Sequence, residues 1–316
     1  MKQNASPLFP DDETEDPAAS AAAASRSTWV SVAVNLCLSV GQVITGLLSQ
    51  SQGLIADGIH SLSDLVADFV VLFASHHSRK PVDAGHPYGH QRYETAASLV
   101  LALILLVVGG GMLWTAILKL ERPETIPQVH VAALWVALAA LVAKEALFRY
   151  MLAVATRVKS SMLVANAWHA RSDAASSFVV GVGIVGNLLG YPLLDPVAAL
   201  IVGGMVMKMG WSFGWDAFHD LMDRAADAEE VRAIADTLRE TPGILGVHDL
   251  RTRKMGDMIL VDAHLEIDAE LSVAEGHDIA VAARSRVLER HRVLNVMTHV
   301  DPRRREAVAA AVPMEG

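Results

Sequence analysis

GLIADGIHSLSDLVADFVVLFAS, residues 53–75, is long and apolar enough to cross a bilayer as a helix, yet it holds three aspartates and a histidine. Asp57, His60, Asp64 and Asp68 recur at spacings of three and four, so a helix gathers them into one polar stripe. A charged side chain at the bilayer centre costs at least ~2.5–3.5 kcal/mol, so such a stripe needs a partner or a task. Packing contacts between membrane helices normally use Ser, Thr or Asn rather than several carboxylates. A second His-x-x-x-Asp pair, His169 with Asp173, lies in another apolar stretch. Two such helices facing each other would surround one point with two nitrogens and two oxygens, the ligand set that Zn²⁺ prefers. Asp57 and Asp68 then read as groups that support the ligands or line an entrance or exit.

Composition points the same way. The chain has 316 residues, 52% hydrophobic and 19% charged, with mean hydropathy +0.34. A net charge of −9 gives no basis for nucleic-acid binding. The single cysteine, Cys37, excludes an intrachain disulfide and a thiolate-rich metal site. Residues 1–26 are Ala/Ser-rich and acidic and read as a disordered tail without signal-peptide character.

Six hydrophobic segments follow, near 27–49, 53–75, 93–118, 131–154, 163–189 and 193–218. Arg79, Lys80 and Arg92 flank the second connection, and Arg149, Arg157 and Lys159 lie at the end of the fourth segment. The positive-inside rule therefore places both termini in the cytoplasm. Residues 27–222 read as a six-helix transmembrane domain. The motif falls on the middle segment of each half, as in transporters built from inverted repeats.

Residues 223–302 have the composition of a soluble domain. Helical patterns at 226–240 and 274–290 and strand patterns at 245–253, 258–267 and 293–300 give the order αββαβ, an α+β fold with helices on one sheet face. Residues 303–316 read as a loose tail. His248, His264 and His299 fall on the three strand patterns, and Asp301 follows His299 on the same side. Sheet pairing would bring them together as a metal site. Asp83, His86 and His90 lie at similar short spacing in a loop, either as a surface zinc site or as a solvated turn. Arg171 either pairs with a carboxylate or reaches the cytoplasmic interface. Lys144 and Glu145 read as a structural pair, His76 and His77 as interfacial residues, and His130, His219 and His291 as surface residues without partners.

The runs ADGIHSLSD (56–64), GHPYGH (85–90), LMDRA (221–225), HDLRTR (248–253) and HVDP (299–302), with His169 and Asp173, resemble the cation diffusion facilitator family, nearest its bacterial ferrous-iron/zinc efflux branch. The resemblance implies a homodimeric exporter in the cell's inner (plasma) membrane, with a cytoplasmic metallochaperone-like domain, exchanging Zn²⁺ or a related divalent ion for protons by alternating access. It implies that His60, Asp64, His169 and Asp173 form the transport site, and Asp83, His86 and His90 a loop site. His248, His264, His277, His299 and Asp301 would form a cytoplasmic cluster at the dimer interface, with bound Zn²⁺ structural or regulatory. Arg92 and Asp223 match a charge pair at the dimer's pivot. Members of that branch commonly carry Asp where His60 stands, and the histidine form is typical of zinc-selective members, which argues against an iron or cadmium role.

Metal ligands of this kind bind in their deprotonated forms, so metal and protons compete for one site. The alternative is a broader exporter of Fe²⁺, Cd²⁺ or Mn²⁺. A metallohydrolase would need an open zinc position and a general base, typically His-Glu-x-x-His, and that motif is missing from the sequence. A membrane-anchored metal sensor would leave the intramembrane ligands unexplained. The expectation is a transporter and not an enzyme, with divalent metal, protons and the lipid bilayer as its partners.

Overall fold

The computed structural model describes residues 17–157 and 161–304. Six long helices come first: α1 (Pro17–Ser49), α2 (Gln52–Ser78), α3 (Arg92–Glu121), α4 (Ala132–Arg157), α5 (Ser161–Leu188) and α6 (Leu194–Leu221). α7 (Ala228–Arg239), β1 (Gly246–Met255), β2 (Met258–Asp268), α8 (Val273–Arg290) and β3 (Val293–Arg303) complete the α+β domain in the expected order. α1 starts ten residues before the expected 27, within the stretch read as a disordered tail. Pro17 suits a helix start, and the alanines from Ala18 to Ala24 have the highest helix propensity of any residue. The rest of that tail, residues 1–16, lies outside the described residues, as does the C-terminal tail beyond residue 304 and Lys159.

Among the described residues, four helices are long and apolar enough, with few charges, to cross a membrane: α1 from Arg26, α2, α3 and α6. α4 and α5 are long enough but carry Lys144, Glu145 and Arg149, and His169, Arg171 and Asp173. These polar and charged residues, not length, set the two helices apart from the other four.

The chain divides into two compact units, 1–70 with 100–213, and 71–99 with 214–316. In the first, α4 packs against α5 and α1. α3 and α6 approach through glycines: a Cβ at Gly109 would stand 2.9 Å from the Met207 backbone nitrogen, and one at Gly210 2.9 Å from Leu105. The α2 N-terminus is held by a residue far away in sequence. The Asp195 carboxylate accepts from the Gln52 N–H at 2.7 Å, the Gly53 N–H at 3.3 Å and the Ser51 hydroxyl at 2.6 Å. Ser51 in turn accepts from the Leu54 N–H at 3.1 Å, the usual geometry of an N-cap serine.

In the second unit, β1 pairs antiparallel and β3 parallel with the central β2. Ile259, Val261, Ala263 and Leu265 alternate along β2 and pack with Ile234 and Leu238 of α7 and Ala280, Ala283 and Val287 of α8. The interleaved Asp262, His264 and Glu266 take the opposite face, where they are only half-buried. α8 opens with a capping box between Ser272 and Glu275.

Asp195 is 2% exposed, so truncation would strand three donors. Asp195→Ala should cost about 1–3 kcal/mol of stability, as expected for unsatisfied buried groups. A lowered thermal midpoint of the detergent-solubilised protein would register it, and an unchanged midpoint would mean that water satisfies the α2 terminus.

Candidate metal centre

The polar stripe of α2 turns inward for most of its length. His60 is 5% exposed and Asp57 is fully buried, whereas Asp68 is exposed. One ligand atom each from His60, Asp64 and Asp173 lies within 4.8 Å of the others, and His60 Nδ1 is 3.5 Å from Asp64 Oδ2. His60 Nδ1 and both Asp64 carboxylate oxygens are buried with no hydrogen-bond partner. Buried polar atoms are rarely left unpaired, and a convergent imidazole and two carboxylates suit a divalent cation. His169 sits one turn before Asp173 on α5, is exposed, and stays outside the 4.8 Å set. The structure therefore gathers three of the four expected ligands.

Beneath this cluster lies a network that the sequence did not reveal. Asp57 accepts from Ser176 Oγ at 2.8 Å, from Ser177 Oγ at 2.5 Å and from the Gln42 side-chain amide. Lys144 Nζ lies 3.4 Å from both Asp57 oxygens, 2.7 Å from Ser177 Oγ and 3.4 Å from the Asp173 carbonyl oxygen. The expected pairing of Lys144 with Glu145 is corrected. Adjacent helical residues point about 100° apart, so Glu145 bonds Arg149 at 2.8 Å on the outer side while Lys144 turns inward. Among the described residues Arg171 pairs with no carboxylate; its guanidinium sits 4.9 Å from the Phe148 ring and 5.1 Å from Trp168. The signal that could have exposed the network was the Ser176-Ser177 pair one turn beyond Asp173.

In the loop after α2, Asp83 Oδ1 is 3.2 Å from His86 Nδ1, and Oδ2 is 3.3 Å from His90 Nε2. The His86 backbone N–H donates to Asp83 at 2.7 Å and, with the Gly85 N–H, holds this exposed carboxyl below the usual carboxylate range. His90 is buried and its Nδ1 has no hydrogen-bond partner. One ligand atom from each of the three lies within 4.8 Å of the others, a spacing that could hold a metal ion.

On the open sheet face, register does what spacing could not. His248 pairs with His264 across β1 and β2, and His264 with His299 across β2 and β3. The Asp301 carboxylate lies 3.1 Å from His248 Nε2, 2.9 Å from His264 Nδ1 and 3.4 Å from His299 Nε2. The hydrogen bond from His264 is the largest influence holding the Asp301 carboxyl below its ordinary range. The strand irregularity after His248 carries Asp249 at φ +47°, a conformation that Asp tolerates better than most residues. Glu266, absent from the expected set, stands 4.0 Å from His248 Nε2. His277 is exposed on α8 and outside the clustered donors His248, His264 and Asp301. His291 is not partnerless: its Nε2 is 2.7 Å from the Thr237 hydroxyl. His219 stacks near Trp215, with ring centroids 4.5 Å apart, and His130 Nδ1 accepts from the Ala132 N–H.

Arg92 Nη2 and Asp223 Oδ1 are 2.7 Å apart, and Arg253 Nη1 is 3.9 Å from the other Asp223 oxygen.

Long apolar helices around buried, unpartnered metal donors, followed by an α+β domain with its own donor cluster, define a multi-pass membrane protein that handles divalent cations. Residues 28–222 match the family described as cation efflux transmembrane domain, and residues 226–303 the cation efflux protein cytoplasmic domain. The chain belongs to the cation efflux (cation diffusion facilitator) family and is a divalent metal cation efflux transporter. It is 34% identical over 304 residues to Metal tolerance protein 2 of Oryza sativa subsp. japonica, covering 88% of this chain and 78% of the relative. Manganese efflux system protein MneS of Bacillus subtilis is 34% identical, with 86% and 93% covered. Magnetosome protein MamM of Paramagnetospirillum magneticum is 33% identical, with 90% of each chain covered. Among solved structures, MamM-CTD 215-293 aligns with 24% of this chain and all of that one at 26% identity, with TM-score 0.23.

Arg92 and Asp223 are each nearly half-exposed, so their pairing should contribute about 0.2–1 kcal/mol. Arg92→Glu and Asp223→Arg should each lower the thermal midpoint slightly, with partial recovery in the double swap. A double-mutant cycle showing zero coupling would mean that the contact carries no energy.

Proposed function

We propose that this transporter exports Zn²⁺ from the cytoplasm in exchange for protons, working by alternating access as a homodimer in the inner (plasma) membrane. In this reading residues 27–222 cross the bilayer six times, and residues 223–302 form the cytoplasmic domain, with both termini on the cytoplasmic side. The observation that carries it is the buried cluster of His60, Asp64 and Asp173, in which one imidazole and two carboxylates meet and three of their polar atoms have no hydrogen-bond partner. His169, one turn from Asp173, would supply the fourth ligand after a modest side-chain movement. Two carboxylates offset the charge of a divalent ion, and the nitrogen donors favour Zn²⁺ over harder cations.

The exchange follows from ligand chemistry. An imidazole binds metal through an unprotonated nitrogen and a carboxylate binds when ionised, so protons arriving at the outward-facing site displace the ion, and their loss inside restores affinity. The loop donors Asp83, His86 and His90 would hold a second ion. His248, His264, His299 and Asp301, joined by His277 from a partner chain, would hold ions that stabilise the assembled cytoplasmic domains. Arg92 and Asp223 would then brace the dimer's pivot.

A manganese substrate is the second reading, favoured by the 34% identity to a relative named as a manganese efflux system protein. Iron and cadmium belong to the same broader alternative.

Proteoliposome uptake of Zn²⁺, Cd²⁺, Fe²⁺ and Mn²⁺, with and without a pH gradient, separates these readings. Zn²⁺ should move fastest and accelerate with the gradient; fastest Mn²⁺ uptake, or flux indifferent to the gradient, would overturn the zinc–proton assignment. Asp64→Ala should abolish flux while leaving dimerisation intact, because it removes an anionic ligand from the site.

His60→Asp tests the selectivity argument separately. Replacing nitrogen with a harder oxygen should narrow the preference for Zn²⁺ over Mn²⁺ by about 10-fold, the scale of 1.4 kcal/mol. An unchanged metal ranking would show that His60 does not set it.

A further inference from the structure

Lys144 is among the largest fully buried side chains of the bundle, 2% exposed, and transport as described above assigns it no work. Its ammonium touches both helices that carry the metal donors. On α2 it meets Asp57, one turn before His60. On α5 it meets the Ser177 hydroxyl and the main-chain carbonyl of Asp173, itself a donor residue. Ser176 and Ser177, in the turn after Asp173, bond Asp57 directly, and Gln42 of α1 adds a fourth helix to the same carboxylate.

We propose that Lys144 is a positioning residue of the transport site, fixing α2 and α5 at the spacing and rotation that metal coordination by His60, Asp64 and Asp173 requires. The inference rests on the transport reading above and deepens it. A metal site keeps its affinity only when its donors are held within about 0.5 Å of their productive places by supporting groups. His60 Nδ1 and the Asp64 oxygens have no hydrogen bonds of their own to hold them. Their placement passes to the backbone of α2, which the Asp57 anchor locks one turn away. On α5 the same lysine reaches the Asp173 carbonyl at 3.4 Å, and Ser176, in the next turn, bonds Asp57. Asp57 and Lys144 cancel each other's charge, so Asp64 and Asp173 remain to match a divalent ion. The role of the pair is therefore geometric, separable from the charge of the site.

That separation sets the test. Removing one partner alone would strand a buried charge and confound folding with function. Asp57→Asn/Lys144→Met removes both charges together, and Ser177→Ala removes only the hydroxyl shared by lysine and aspartate. Each full-length variant is reconstituted and its Zn²⁺ uptake measured as KM and as maximal rate per folded dimer, beside wild type and Asp64→Ala. The double variant should raise KM about 10-fold, in the range seen when groups supporting metal ligands are lost. Its maximal rate per folded dimer should change by less than about twofold, because the exchange motion is not altered. Ser177→Ala should raise KM by a smaller factor. Wild-type KM in the double variant would overturn the proposal and leave the pair a purely structural one. Should the double variant fail to assemble, wild-type KM in Ser177→Ala overturns it equally. Flux that survives in Asp64→Ala would instead remove the transport site itself, and the positioning role with it.

Discussion

A carboxylate buried among apolar helices has to be answered by another group, and in this bundle Asp57 is answered four times. Gln42, Lys144, Ser176 and Ser177 come from α1, α4 and α5, so a single side chain on α2 draws three other helices to one point. Leaving an uncompensated buried charge costs about 3–5 kcal/mol, which makes these partners obligatory once the aspartate is present. One turn away the opposite condition holds. The polar atoms of His60 and Asp64 are buried and unanswered, and the bundle tolerates this because they converge where a divalent ion can take the missing place. The first set of contacts satisfies its buried charge internally, and the second leaves donors open to a cation.

This division explains why α4 and α5 place charged residues inside otherwise apolar helices. A helix that contributes an ammonium or metal donors to the interior gives up hydropathy there, and neighbouring helices must shield it. α3 is the most apolar of the six helices, and glycines let the backbones of α3 and α6 approach closely. Hydropathy on its own therefore undervalues segments that carry polar groups into the interior.

The cytoplasmic sheet builds its cluster by other means. The apolar residues of β2 face α7 and α8, which obliges the alternate residues, His264 among them, to face away. Strand register then aligns His248 and His299 beside His264, and the Asp301 carboxylate meets all three rings. A one-residue slip of either neighbouring strand would send its histidine to the helix-covered face. The hydrophobic core thus fixes which face of the sheet the donors take.

From the sequence alone came the long apolar helices, the αββαβ order and most of the side chains that the structure clusters, because these depend on periodicity: three and four residues for a helix face, two for a strand face. The short spacings His60–Asp64 and Asp83–His86–His90 are likewise local, and their residues do meet. Sequence misjudged residues 17–26, where an Ala-rich run was read by its low complexity rather than its helix propensity. The partners of Lys144 and Arg171, the exposed side chain of His169 and the inclusion of Glu266 beside the histidines were decided by tertiary structure. Each depends on the rotation of one helix about its axis, or the register of one strand, relative to a neighbour distant in the chain. No local pattern encodes that relation; it is set by which packing satisfies all the buried polar groups together.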